Sequence, residues 1–165
     1  IAEGGEFFYL PNENILLAGQ CRNNLRGAEQ MAEKLNVSNL HIINSSGYHL
    51  DTSIAPIFNN EYDCIGLICA REVFNNNEIN DLRSICKSNQ WELIEIEHQD
   101  INSSLSFRTA MNGLTLPGLF IGSKKLNQKP ISEFALSNNI IFDSTSVSQF
   151  NLSGGSVHCL TNELF

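Results

Sequence analysis

At 165 residues the chain holds one sizeable hydrophobic core and not comfortably two. Its 42% hydrophobic and 17% charged residues are the balance of a soluble globular domain, and a formal net charge of −8 without any Lys/Arg cluster argues against a nucleic-acid partner. No apolar run approaches the roughly 18 residues of a membrane-spanning helix, and no secretory leader is visible at Ile1, so neither a membrane nor an export route is expected.

The first block of the chain reads as strand, strand, helix, strand. Glu3-Gly4-Gly5-Glu6 precedes a short apolar run, Phe7 to Leu10. A turn at Pro11 to Asn14 leads to a second apolar run, Ile15 to Ala18, which ends at Gly19. Two β-type runs about a turn predict a hairpin. From Leu25 to Leu35, Leu25, Ala28, Met31, Ala32 and Leu35 recur at helical spacing, with Asn24 in the place of an N-cap. Leu40 to Ile43 then reads as a strand.

The same order recurs twice. Ser53 to Phe58 and Cys64 to Cys69 predict two strands, Asn77 to Lys87 a helix, and Trp91 to Glu97 a strand. In that last strand the apolar alternation changes phase between Leu93 and Ile94, which leaves its register open. Thr109 to Leu116 and Leu119 to Ile121 predict strands about Pro117-Gly118. Ile131 to Leu136 predicts a short helix after Pro130, and Ile140 to Phe142 a strand. The three helix starts lie about 52 and about 54 residues apart, close to a repeat period. The modules are expected at about 1–45, 53–97 and 105–143, alike in pattern and not in residues. After a polar connection from Ser144 to Ser153, residues 154–165 are expected to open a further, partial module as its first strand. Both ends then look like interrupted units, which favours part of a larger closed architecture over a complete small α/β domain.

The five cysteines, Cys21, Cys64, Cys69, Cys86 and Cys159, are odd in number, scattered, and form no Cys-x-x-Cys pair. That argues for a reducing, cytoplasmic setting rather than a disulfide framework. Cys64 and Cys69 lie in an apolar run and are expected in the core. His158-Cys159 is a poor chelate without a second Cys/His cluster, so no metal is expected.

Cys159 lies just after Gly154-Gly155 and between the apolar Val157 and Leu160. A thiol held there becomes a nucleophile when a proton carrier is within reach; otherwise it is a buried structural cysteine. His49 is the candidate carrier, because imidazole titrates near neutrality. Asp51, two residues on, falls on the same side of an extended segment and offers a carboxylate to a cation. Glu3, ahead of two glycines, can approach a ligand closely. His158, on a strand, points away from Cys159 and reads as scaffold. His41 and His98 have no partner pattern. Each of these has an ordinary alternative: a solvated loop histidine, a turn, a packing residue.

Taken together, Glu-Gly-Gly at 3–5, His-Leu-Asp-Thr at 49–52 and Gly-Gly-x-x-His-Cys-x-Thr at 154–161 resemble the guanidine-modifying superfamily of arginine deiminase, agmatine deiminase, dimethylarginine dimethylaminohydrolase and the amidinotransferases. Gly19 to Asn24 with Gly27 resembles its small-Arg-Thr-Asn-x-x-Gly turn, with Asn23 in place of the threonine; Glu6 replaces the aspartate that often follows Glu-Gly-Gly. The resemblance implies a pentein-type five-bladed α/β propeller of strand-strand-helix-strand modules, of which this chain would hold the C-terminal three and a fraction. Missing N-terminal modules of the same protein, with a further guanidinium-binding aspartate, would precede Ile1. It also implies covalent chemistry without metal or organic cofactor: Cys159 attacks the guanidinium carbon, His49 carries protons, and Asp51 and Glu3 hold a small cationic substrate. Asp51 departs from the lysine of the dimethylarginine branch, which points to arginine- or agmatine-like substrates.

Two further readings stand beside this hydrolase. An amidinotransferase would pass the same intermediate to an amine. A non-catalytic propeller binding protein would have no reason to keep Cys159, His49 and Asp51 together. A homo-oligomer is compatible with all three. A papain-like protease is disfavoured, because its cysteine precedes its histidine.

Overall fold

A computed structural model describes residues 1–97 and 110–161. The first block forms β1 (Phe7–Leu10), β2 (Ile15–Gly19), α1 (Leu25–Leu35) and β3 (Asn39–Ile43). β1 and β2 pair antiparallel, Leu10 opposite Ile15, across the Pro11–Asn14 turn; β3 pairs parallel with β2, Ile15 opposite Asn39. β4 (Ile54–Phe58), β5 (Cys64–Ala70), α2 (Asn76–Asn89) and β6 (Glu92–Ile96) repeat the pattern, and so do β7 (Leu114–Leu116), β8 (Leu119–Gly122), α3 (Lys129–Asn138) and β9 (Ile141–Ser144). The protein is thus an α/β fold of three strand-strand-helix-strand units.

Local chemistry explains the boundaries. Asn24 caps α1 by accepting from Gly27 N at 2.8 Å. Asn75 and Glu78 form a reciprocal capping box at the start of α2, and Pro130 sits in the first turn of α3, where its missing N–H costs nothing. The helices α1, α2 and α3 end on an amide residue in the left-handed conformation: Asn36 (φ 51°), Gln90 (φ 61°) and Asn139 (φ 56°). Trp91 precedes β6 and donates its N–H to Cys86 O, so of the Trp91–Leu93 face only Leu93 lies in the strand; Ile94 and Ile96 are buried, and Leu93 is half-buried.

The units stack in sequence. α2 packs on β3, α3 packs on β6, and β4 touches β7 and β8. β2 and β4 are buried at every position, as continuous apolar runs require. One core cluster, with Leu10, Leu50, Ile54, Leu67, Ile79, Phe120 and Ile131 among its members, runs through all three units.

Two expectations are corrected. The strand expected over Thr109 to Leu116 starts only at Leu114; Ala110 and Met111 are helical, and Thr109 lies outside the described residues. A Cβ at Gly113 would strike the buried Phe120 ring, so this glycine breaks the apolar run at a tight corner. The stretch from Gly154 is not the first strand of a fourth unit within the described residues. The connection before it contains a short helix, α4 (Ser148–Leu152). Gly154 (φ 85°) and Gly155 close that helix, with Gly155 N donating to Phe150 O at 3.0 Å. Glycine at this place satisfies the last carbonyls of a helix instead of opening a strand. His158–Leu160 follow as a 3₁₀ turn, and residues 162–165 lie outside the described set. Among the described residues no helix is long and apolar enough to cross a membrane.

Cys64, Cys69 and Cys86 are buried in the core, and burial pushes their thiols up, Cys86 to about 12. Below pH 9 these thiols are protonated in both folded and unfolded chains and leave stability unchanged. Above pH 9, the ordinary value, the unfolded chain releases protons that the folded chain retains, so stability falls as pH rises. Urea unfolding at about pH 8 and about pH 10 should show this loss. Cys69→Ala should reduce it by about 1 kcal/mol, the contribution of one thiol over one pH unit.

Candidate active site

The chain before β1 is a 3₁₀ turn, Gly4–Glu6, with Glu3 at its N-cap. The loop between β2 and α1 lies against it: Glu3 N donates to the buried Asn23 Oδ1 at 2.7 Å. Asn23, the residue standing in the place of threonine, thus supplies the acceptor that fixes Glu3. The Glu6 carboxylate is fully buried. Its Oε1 accepts from Arg22 N at 2.5 Å and its Oε2 from Leu50 N at 2.9 Å. One carboxylate therefore joins the chain start, the Arg22 loop and the His49 segment. A Cβ at Gly19 would overlap Glu6 Oε2, so the longer side chain at position 6 occupies space that Gly19 leaves open.

His49 caps a second 3₁₀ turn, Leu50–Thr52, reciprocally with Thr52. The His49 carbonyl accepts from Thr52 Oγ1 at 2.8 Å and from Ser53 Oγ at 3.0 Å. Its ring Nε2 lies 2.8 Å from Glu3 Oε2. A carboxylate partner makes Nε2 the protonated nitrogen in the neutral ring. The Tyr48 ring lies 4.6 Å from the His49 ring, tilted to it by 51°, and the Arg22 guanidinium covers Tyr48 at 4.3 Å.

Asp51 is 2% exposed. Its Oδ2 accepts from His158 Nδ1 at 2.9 Å, and its Oδ1 is buried with no hydrogen-bond partner among the described residues. A Cβ at Gly5 would lie 2.7 Å from His49 Nδ1 and 3.0 Å from Asp51 Oδ2. His49 and Asp51 therefore face the same glycine, although the segment is a 3₁₀ turn and not the extended run that their spacing predicts.

Cys159 is exposed on the His158–Leu160 turn. Its N–H and its Sγ both lie 3.3 Å from Asn112 Oδ1, and His158 N donates to Asn112 O at 3.2 Å. His158, expected as scaffold on a strand, lies on a turn; its ring contacts Asp51 and lies 5.2 Å from the Phe8 ring. Successive side chains of a 3₁₀ turn are splayed by about 120° rather than opposed. Asn112 belongs to none of the sequence motifs; its one signal is the Asn-Gly pair inside an apolar run.

Glu3, His49, Asp51 and Cys159 are thus linked into one constellation, by direct contact or through Gly5, His158 and Asn112. The other thiols are unsuited to nucleophilic work. Three are buried, and Cys21, also pushed up by burial, donates to Ser45 O at 3.0 Å. His41 lies outside this set, with burial holding its ring below the ordinary histidine value; His98 is not among the described residues. No group of three or more His, Cys, Asp or Glu side chains suited to a metal ion occurs among the described residues. Chemically, the set offers a thiol, an imidazole backed by a carboxylate, and a buried carboxylate with one oxygen unpartnered among the described residues.

No family model matches the chain, and a search of curated proteins finds no match. Solved structures do match. The N-terminal domain of ArgZ, a cyanobacterial arginine dihydrolase, superposes with a TM-score of 0.74 at 19% identity, over 98% of this chain and 55% of that one. AgrE in a ternary complex with ornithine and NAD+ gives 0.75 at 19% identity, over 97% of this chain and 22% of that one. SxtG, an amidinotransferase from Microseira wollei, gives 0.67 at 20% identity, over 94% of this chain and 42% of that one. The chain spans about half the length of the arginine dihydrolase domain it matches. Its three units carry, over that span, the pentein fold of the guanidine-modifying enzymes that its motifs resemble.

Proposed function

We propose that the chain carries the nucleophile, Cys159, of a cytoplasmic cysteine hydrolase acting on a guanidine, arginine- or agmatine-like. The observation that carries this reading is the Asp51 carboxylate. It is buried, with one oxygen on His158, the chain neighbour of Cys159, and the other without a partner among the described residues, and it faces Gly5 together with His49. A buried carboxylate with a free oxygen calls for a cation with N–H donors, and guanidinium supplies both.

In the proposed reaction the guanidinium lies along Asp51. The Cys159 thiolate adds to its central carbon, and the C–N bond to the departing amine breaks as His49 gives that amine a proton. An amidino group then remains bonded to sulfur. His49, now neutral and oriented by Glu3, takes a proton from water as the oxygen adds to the same carbon. The C–S bond breaks, and the carbonyl product leaves with the thiol restored. The chain's likeness to an amidinotransferase supports a second outcome, in which an amine replaces the water.

Incubation of the full chain with arginine and with agmatine, with and without glycine, tests both readings. Hydrolysis yields ammonia and a ureido product or its breakdown products, and transfer yields a new guanidino compound only when glycine is present. Cys159→Ser should abolish turnover while the melting transition persists; unchanged turnover would exclude Cys159 as the nucleophile. Asp51→Asn should raise KM by about tenfold to a hundredfold, the loss of one charge-assisted contact. Gly5→Ala should depress kcat/KM with a smaller effect on unfolding in urea, because its methyl would displace the His49 ring; full activity in that variant would show that the ring is not held there.

A further inference from the structure

Asn112 stands in none of the motifs, yet it touches the thiol directly. Its side chain is 1% exposed. Oδ1 lies 3.3 Å from both the backbone N and the Sγ of Cys159, and its carbonyl accepts from His158 N at 3.2 Å. A backbone N–H can only donate, so the atom facing it is the amide oxygen; this settles the orientation of the Asn112 amide. Facing that same oxygen, the sulfur is the donor, S–H to Oδ1. The opposite end of the amide, Nδ2, is buried without a hydrogen-bond partner among the described residues.

Asn112 is itself held from behind. Gly113 N donates to Met111 O at 2.8 Å, and Gly113 packs on the buried Phe120 ring so closely that no Cβ fits. The corner at residues 111–113 is therefore fixed to the core of the third unit. The turn bearing His158 and Cys159 is anchored to it by three contacts from one residue.

We propose that Asn112 is the positioning residue of Cys159, its amide oxygen fixing the turn through the backbone N–H and the thiol rotamer through the sulfur. This rests on the reading of Cys159 as the nucleophile. A residue that merely fills space would respond alike to any substitution. An acceptor on the S–H responds in opposite directions. Removing it frees the thiol, and replacing the amide by a carboxylate holds the proton more firmly and opposes the thiolate.

The test is alkylation of the full chain by iodoacetamide at fixed pH, with Cys159 and Cys21 followed separately by peptide mass and Cys21 serving as the internal reference. Relative to wild type, Asn112→Ala should alkylate at Cys159 about fivefold faster and Asn112→Asp about fivefold slower, the factor equivalent to one hydrogen bond. Equal rates, or a change in the same direction for both, would overturn the proposal. Should Asn112→Ala not fold, the isosteric Asn112→Asp decides alone: slower alkylation supports the proposal, and equal or faster alkylation overturns it. With arginine as substrate, Asn112→Ala should lower kcat and leave KM unchanged, and the reverse split would count against it. Absence of turnover in the wild-type chain would count against the guanidine reading, while the order of alkylation rates would still decide the role of Asn112.

Discussion

The hydrogen bond between Asp51 Oδ2 and His158 Nδ1 joins residues 107 apart in sequence, and the constellation depends on it. It brings the turn that carries Cys159 to the turn that carries His49. Both turns are short 3₁₀ segments without a regular element of their own, so each needs an outside anchor. For the first the outside anchor is Glu6, accepting from Leu50 N, while the hydroxyls of Thr52 and Ser53 on the His49 carbonyl tie the turn internally. For the second they are Asn112 and Asp51. Groups with chemical potential sit on loops, and buried polar groups from the framework hold those loops still.

That arrangement has an energetic cost, which the core must offset. Glu6 and Asp51 are carboxylates taken almost wholly out of water. Burial of such a group is tolerable when N–H donors replace its solvent. Glu6 is fully compensated by two backbone donors, which suits a structural part. Asp51 is compensated at one oxygen and, among the described residues, left open at the other, which suits a part that waits for a ligand.

Much of the fold is legible in the sequence because the signals are local. The helical spacing from Leu25 to Leu35, the hairpin about Pro11 to Asn14, and the threefold order of elements all reappear in the structure. Legibility fails where a tertiary contact decides. Gly154 and Gly155 sit beside apolar residues as the start of a strand would, yet they terminate a helix that a mostly polar segment does not announce. Asn112 and Gly113 are a turn pair inside an apolar run, and the run masks them because the Phe120 ring that demands glycine is supplied by another strand. The candidate site shows the same division. Glu3, His49, Asp51 and Cys159 are visible as residue types in order. The partnership of His158 with Asp51 is not, since it depends on the turn geometry at position 158.

The overlap between Glu6 and the space above Gly19 ties two positions on different elements into one choice. A shorter acid at position 6 would vacate that space and draw back from the Leu50 amide. A larger residue at position 19 would expel the carboxylate and leave the Arg22 and Leu50 amides without an acceptor. Neither change is neutral alone, whereas the two together exchange one complete packing for another. Substitution at this corner is therefore expected to proceed in pairs, with strand β2 and the turn ahead of β1 behaving as a single inherited unit.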